Sequence, residues 1–124
     1  MLAGPGELDL AARVASGIGS GCLNLAARTS LPVLGAVIAQ LSVLLTNDSG
    51  PAHIAYALRT PTVTIWGGED LERYGPPREG PFRALVEDVD CRPCGLAECP
   101  IGYICLERVT EEAATEACEQ IMRL

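Results

Sequence analysis

Two hydrophobic periodicities alternate along this chain, and that alternation restricts its possible folds more than any other feature. Residues 43–46 and 62–66 are short apolar or β-branched runs that suit buried parallel strands, 22–25 is a further short strand candidate, and 83–86 is a weaker one. The intervening segments repeat apolar residues at helical spacing, which predicts helices over 8–18, 31–41, 51–58 and 110–123. Such alternation predicts an α/β fold with helices on both faces of a parallel sheet, in three layers.

Length and composition are those of one folded domain. The chain has 124 residues, of which 48% are hydrophobic, and we expect a single domain over 1–124. The net charge of −7 argues against nucleic acid or an anionic membrane surface as a direct partner, because both require a basic footprint. The longest apolar stretch, 31–45, is shorter than the roughly 18–20 residues of a membrane span. We therefore expect no transmembrane segment and a cytoplasmic location.

The most informative segment follows the first buried strand and reads Asn47-Asp48-Ser49-Gly50-Pro51-Ala52-His53. Proline suits the first position of a helix, where its missing N–H costs nothing. The backbone N–H groups of Ser49, Gly50 and Ala52 are then expected to be free at the positive end of the helix dipole, where they could bind a phosphate. Ordinary capping uses the same residue types, so local chemistry leaves both interpretations open.

Two side chains of this turn carry chemistry of their own. An aspartate would repel a phosphate, so Asp48 is expected to accept hydrogen bonds from hydroxyl groups of a ligand or to hold the turn. His53 is the only histidine, and its ring could reach the same anion or simply stabilise the turn.

Five ordered segments resemble glycosyltransferase family 9, whose members add ADP-heptose sugars to the lipopolysaccharide core. Residues 48–58 are similar to the family signature Asp-Thr/Ser-Gly-x-x-His-x-x-x-Ala-Leu. A Thr60-Pro61 step and the turn Trp66-Gly67-Gly68 follow in the family's order. Upstream, residues 25–31 resemble the family's Leu-Ala-Gly-x-Thr-Ser-Leu segment. Downstream, residues 91–105 resemble a cysteine block found in many members. The likeness runs over nearly the whole chain.

This resemblance implies a fold and a ligand. The chain would be the C-terminal, Rossmann-like half of a GT-B glycosyltransferase, which binds an ADP-sugar donor. The residues that the resemblance assigns to donor binding are Asp48, Ser49, Gly50 and His53 at the helix start, Gly67, Gly68 and Glu69 near the sugar, and Glu7 at the ribose. Where the family has Gly-Pro-Thr-Asp-Pro, this chain has Gly67-Gly68-Glu69-Asp70-Leu71, which leaves the donor sugar open.

The resemblance also implies what this chain lacks. The family's general base lies in an N-terminal acceptor domain, and the transfer is inverting and needs no metal ion. We therefore expect no catalytic residue here and no sugar transfer by the isolated chain. Residues 1–2 would be the stub of a clipped first strand, and the exposed sheet edge would allow self-association. The complete protein could lie peripherally at the inner membrane.

Four cysteines, Cys91, Cys94, Cys99 and Cys105, form a separate cluster in the sequence. Their spacing allows a structural zinc site with four thiolate ligands, an iron–sulfur site, two disulfides, or packed free thiols without metal. A cytosolic enzyme would keep them reduced.

Two alternative functions remain open from the sequence. One is a non-catalytic α/β module whose cysteine loop holds a metal and binds a protein partner. The other is a different GT-B enzyme acting on sugar nucleotides, such as an epimerase, because a fold by itself does not determine function.

Overall fold

The computed structural model describes residues 1–123 and confirms an α/β architecture built on a parallel sheet. The strands β1 (Leu44–Asn47), β2 (Thr62–Trp66) and β3 (Phe82–Val86) lie in the order β1-β2-β3. In register, Leu44 is opposite Thr62 and Thr62 is opposite Phe82. The helices are a 3-10 turn Pro5–Glu7, α1 (Leu8–Ile18), α2 (Leu31–Ile38), α3 (Gly50–Leu58), α4 (Leu71–Tyr74), α5 (Ile104–Glu107) and α6 (Glu111–Ile121).

Helices cover the central strand β2 on both of its faces. Val63 is fully buried and packs with Ala117 and Ile121 of α6. The next residue, Thr64, points to the opposite face because side chains alternate along a strand. Its hydroxyl hydrogen-bonds the Tyr56 hydroxyl of α3 at 2.6 Å. Helices α3 and α6 therefore lie on opposite faces, which confirms the predicted three layers.

Tyr56 fixes α3 against the sheet. The residue is buried, and its ring meets Phe82 of β3 edge-on with 5.1 Å between centroids. Burial raises the pKa of the Tyr56 hydroxyl, and the hydrogen bond to Thr64 opposes that rise only in part. The hydroxyl is therefore a neutral hydrogen-bonding group that sets the position of α3 over β2.

The helix ends have identifiable local causes. α1 ends at Gly19, whose φ of 84° is accessible to glycine without strain. α3 ends at Arg59 in the left-handed region, where its N–H donates to the carbonyls of Ala55 and Tyr56. The Thr110 hydroxyl accepts from the Ala113 N–H at 3.1 Å and so caps α6, as the sequence predicted.

Some predictions about the elements were wrong. Residues 22–25 form no strand, because the segment makes only isolated backbone bonds, such as the one from the Leu25 N–H to the Met1 carbonyl. The α2 helix ends at Ile38 rather than at 41. We expected both faces of β1 to be covered, yet Leu45 is 48% exposed. Helices α4 and α5 were not predicted.

The chain divides into two compact units, Met1–Leu34 and Gly35–Leu124. The first contains the 3-10 turn and α1. The second contains the whole sheet together with α3 to α6. The prediction of a single domain over 1–124 stays a prediction. Among residues 1–123, no helix combines the length and the apolarity that a membrane span requires.

Candidate functional site

The turns after β1 and β2 meet at the carboxyl edge of the sheet. Neighbouring parallel strands end at the same edge, which is where ligands bind in open α/β sheets. The Asp48 N–H continues the strand pairing by donating to the Ile65 carbonyl at 3.1 Å. That bond holds Asp48 beside the turn that begins at Gly67, so two of the predicted site segments are brought together.

The start of α3 leaves backbone donors open. Ser49 is the N-cap in an extended conformation, and its hydroxyl donates to the Asn47 carbonyl at 3.1 Å instead of capping the helix. Within residues 1–123, the N–H groups of Ser49 and Gly50 have no hydrogen-bond acceptor. The Ala52 N–H donates to the Ser49 carbonyl at 3.0 Å, so the expectation that it would also be free was wrong.

The position of Gly50 leaves room for a ligand. A Cβ built on this residue would have no heavy atom within 4 Å, apart from its own helix and chain neighbours. Two N–H groups without an acceptor within residues 1–123 therefore lie at the positive end of a nine-residue helix, and the space beside Gly50 is open. This arrangement can bind an anion.

His53 and Asp48 form a pair beside this helix start. His53 Nε2 lies 3.8 Å from Asp48 Oδ1, with the histidine side chain 52% exposed and the aspartate 18% exposed. The His53 ring meets the Tyr56 ring edge-on at 5.7 Å. Burial raises the pKa of Asp48; the neighbouring His53 opposes that rise, and the negative charge of Glu69 adds to it.

The turn Gly67–Gly68–Glu69 is joined to the cysteine loop by backbone bonds. The Gly68 carbonyl accepts from the N–H groups of Cys94 and Gly95, at 2.9 and 3.0 Å. A Cβ on Gly68 would lie 2.5 Å from Cys94 Sγ. A side chain at this position would therefore displace the Cys94 thiol, because the loop packs directly on the backbone of the turn.

Arg92 makes a second connection that the sequence did not predict. Its guanidinium donates to the carbonyl of Glu87 at 3.2 Å and to the carbonyl of Glu69 at 3.4 Å. Its Nε is buried and has no partner within the described part of the chain. An arginine placed between a cysteine and a proline was the available signal, but its targets depend on the loop conformation.

An open pocket of about 260 Å³ is lined by residues of both turns and of the cysteine loop. It is lined by Asp48, Gly67, Gly68 and Glu69 from the two turns, by all four loop cysteines, and by side chains of α5 such as Leu106. Ser49, Gly50 and His53 do not line it. Glu7 belongs to the unit Met1–Leu34, where its carboxylate accepts the Gly4 N–H at 2.9 Å.

The cysteine loop contains free thiols. Cys91 and Cys94 are exposed, Cys99 is half-buried and Cys105 is buried, and none of them forms a disulfide within residues 1–123. Cys99 Sγ accepts the Tyr103 N–H at 3.2 Å. In the described residues, no three His, Cys, Asp or Glu side chains are placed so that they could hold a metal ion. The zinc site allowed by the cysteine spacing therefore stays a prediction.

Comparisons with known proteins identify the family of this chain. The model of glycosyltransferase family 9 (heptosyltransferase) matches residues 2–104. Lipooligosaccharide heptosyltransferase 2 of Campylobacter jejuni is 27% identical over 101 residues, which are 81% of this chain and 32% of that protein. Lipopolysaccharide heptosyltransferase 2 of Escherichia coli K12 is 44% identical over 64 residues, which are 52% of this chain and 18% of that protein. The chain thus spans about a third, or less, of the length of these relatives.

Two solved structures have the same fold. They are a family 9 glycosyl transferase from Veillonella parvula DSM 2008 and the ADP-heptose LPS heptosyltransferase II of E. coli, each with a TM-score of 0.80. Their sequence identities are 23% and 21%, and each comparison covers 98% of this chain and 35% of the other. The likeness confirms the predicted Rossmann-like α/β fold. Because the family model matches most of its length, the chain belongs to glycosyltransferase family 9.

Proposed function

We propose that this chain is the donor-binding part of a heptosyltransferase-type glycosyltransferase. It would hold an ADP-sugar for transfer to the lipopolysaccharide core or a related glycan. The observation that carries the proposal is the start of α3, where the N–H groups of Ser49 and Gly50 have no acceptor within residues 1–123 and the space beside Gly50 is open. Such donors at the positive end of a helix suit a diphosphate.

The arrangement also suits the chemistry of a leaving group. In glycosyl transfer the nucleoside diphosphate departs as an anion, and fixed donors aimed at the developing charge lower the barrier. Ser49 and Gly50 would supply two such donors, and His53 would add a third if its exposed ring turns toward the phosphate. Asp48 would accept hydrogen bonds from sugar hydroxyl groups, since an ionised carboxylate only accepts.

The family match favours sugar transfer over the alternative of a sugar-nucleotide epimerase. We further propose that an acceptor domain outside this chain supplies the general base that deprotonates the acceptor hydroxyl. The pure chain should then bind the donor but show no turnover. A rate of sugar transfer above background from the isolated chain would contradict this part of the proposal.

Titration with ADP tests the donor site. Wild-type chain should bind ADP in the micromolar to millimolar range, and Gly50→Val should weaken binding at least tenfold, because the new side chain would occupy the space beside the two donors. The open space around Gly50 means that the variant should fold. Calorimetry measures the affinity, and circular dichroism checks the fold.

Gly21→Val is the matched control. A Cβ on Gly21 would likewise meet no heavy atom within 4 Å, and this residue lies in the other unit of the chain. The substitution should leave ADP affinity unchanged. Failure of the wild-type chain to bind ADP, or equal affinity of the wild type and Gly50→Val, would rule out the proposed anion site.

A further inference from the structure

The pocket beside the helix start has an unusual charge. Asp48 and Glu69 are the only charged side chains that line it, and the described residues contribute no arginine or histidine to its wall. The Glu69 carboxylate forms no ion pair within residues 1–123. The pocket is therefore anionic and contains a carboxylate whose acceptor capacity is not used by the protein.

A diphosphate does not suit this pocket. Two phosphates beside two carboxylates would repel, and the pocket offers no cation to offset the repulsion. Ser49 and Gly50, which offer the free N–H groups, lie outside its lining. The proposed phosphate site at Ser49 and Gly50 and the pocket are therefore separate places along the edge formed by the turns after β1 and β2.

The size of the pocket points to a small, polar occupant. Its volume of about 260 Å³ is below the roughly 300–1,000 Å³ of pockets that bury drug-sized ligands. It suits one sugar ring better than a complete nucleotide sugar. Sugar hydroxyls donate hydrogen bonds, and ionised carboxylates accept them, so the pocket and a neutral sugar are complementary.

We propose that Glu69, with Asp48, selects the donor by the charge of its sugar: the pocket accepts neutral, hydroxyl-rich sugars and rejects sugars that bear a carboxylate. This inference rests on the proposed donor-binding function. A uronic acid would place a third carboxylate beside two others in a partly enclosed space, whereas a neutral sugar offers only donors and dipoles. Glu69 is the determinant because its carboxylate is exposed and unpaired.

The backbone of the pocket fixes Glu69 in position. Its carbonyl accepts from the Arg92 guanidinium, and the preceding Gly68 carbonyl accepts from the loop amides of Cys94 and Gly95. The main chain of the turn is therefore tied at two successive residues. Glu69→Gln removes the charge of the side chain and keeps these backbone hydrogen bonds, so the substitution isolates the effect of the charge.

The test compares three ligands: ADP, ADP-glucose and the uronate obtained by oxidising C6 of the glucose. Wild-type chain should bind ADP-glucose more tightly than ADP, and the uronate more weakly than ADP-glucose. Relative to ADP, Glu69→Gln should bind ADP-glucose more weakly and the uronate more strongly than the wild-type chain does. The ratio of the two sugar-nucleotide affinities should fall about tenfold, as expected when a charged acceptor is neutralised.

Glu79→Gln is the control, because it removes the same charge from an exposed residue that does not line the pocket. It should leave all three affinities unchanged. An unchanged affinity ratio in Glu69→Gln, with ADP still bound, would overturn the selection by charge and leave the donor site intact. A wild-type chain that binds none of the three ligands would instead overturn the proposed function itself, and this inference with it.

Discussion

A single methyl group added at Gly68 has a clear expected effect. A Cβ there would lie 2.5 Å from Cys94 Sγ, which is closer than non-bonded atoms approach. Gly68→Ala should therefore destabilise the chain by about 1–3 kcal/mol, the usual cost of overpacking. Urea unfolding followed by circular dichroism measures the loss.

A second substitution isolates that contact. Cys94→Ala removes the sulfur atom that the new methyl group would meet, so Gly68→Ala combined with Cys94→Ala should be more stable than the sum of the two single changes predicts. Perfect additivity in this double-mutant cycle would show that the loss in Gly68→Ala has another origin.

Asp48 should lower the stability of the chain at neutral pH. Burial raises its pKa; His53 opposes this, and Glu69 adds to it. The folded chain thus binds the proton more tightly than the unfolded chain, so the contribution of Asp48 to stability is present below its ordinary pKa of 3.8 and is lost as the pH rises through the folded pKa. Asp48→Asn should therefore raise the free energy of unfolding at pH 7, and the gain should vanish under acid conditions.

The exposed Asp90 provides the comparison for that experiment. Unfolding curves of Asp90→Asn should follow those of the wild type at both pH values. A gain from Asp48→Asn that persists unchanged below pH 3.8 would contradict the assignment to Asp48 ionisation. The same substitution should weaken binding of an ADP-sugar, which would identify Asp48 as a residue that costs stability for the sake of ligand binding.

At the scale of elements, the Thr110 cap should determine part of the stability of α6. Its hydroxyl accepts from the Ala113 N–H, which otherwise has no partner at the helix start. Thr110→Ala should cost about 1 kcal/mol, the usual value for the loss of an N-cap. Because α6 packs on Val63, thermal unfolding of the whole sheet unit should report the loss.

Thr115 gives a matched comparison within the same helix. It is exposed in the interior of α6, where its hydroxyl donates to the Glu111 carbonyl. Alanine has the better helix propensity at such a position, so Thr115→Ala should be neutral or slightly stabilising. Equal losses for both substitutions would show that the capping bond does not contribute specifically.

The elements predicted correctly are those whose sequence signal is local. Thr62–Trp66 alternates between two buried faces, and Gly50–Leu58 begins with a proline in its first turn, so their positions follow from periodicity and backbone restriction. Residues 22–25 also have strand-like composition. A strand, however, requires a partner with a continuous ladder, and propensity alone does not provide one.

The part of the candidate site that follows from strand topology was predictable from the sequence, and the part formed by the irregular loop was not. Asp48 and Gly67 follow neighbouring parallel strands, and topology alone brings them to one edge. The contacts of Arg92 and of Cys94 depend on the path of an irregular loop, which no periodicity encodes. The spacing of the cysteines predicted a possible metal site, yet spacing does not determine where the sulfur atoms point.

At the scale of the whole molecule, β1 should be a site of self-association. Within residues 1–123 it pairs only with β2, and Leu45 on it is 48% exposed. An open strand edge beside an exposed apolar side chain promotes pairing between copies. The chain should therefore sediment as a mixture whose mean mass rises with concentration, and Leu45→Lys should shift it toward monomer.

Leu58→Lys tests whether any exposed apolar residue would have this effect. Leu58 is 46% exposed but lies at the end of α3 rather than on a strand. This variant should associate as the wild type does in analytical ultracentrifugation. A wild-type chain that stays monomeric at high concentration would contradict the prediction for β1.

The two amides that share the Gly68 carbonyl have a consequence for protein engineering. The N–H groups of Cys94 and Gly95 both donate to the Gly68 carbonyl, so the conformation of the turn depends on that of the loop. A chimera that exchanges only one of them with a homologue would join surfaces that were never matched. Transplanting 67–69 together with 91–106 would keep the glycine turn and the loop side of the pocket matched.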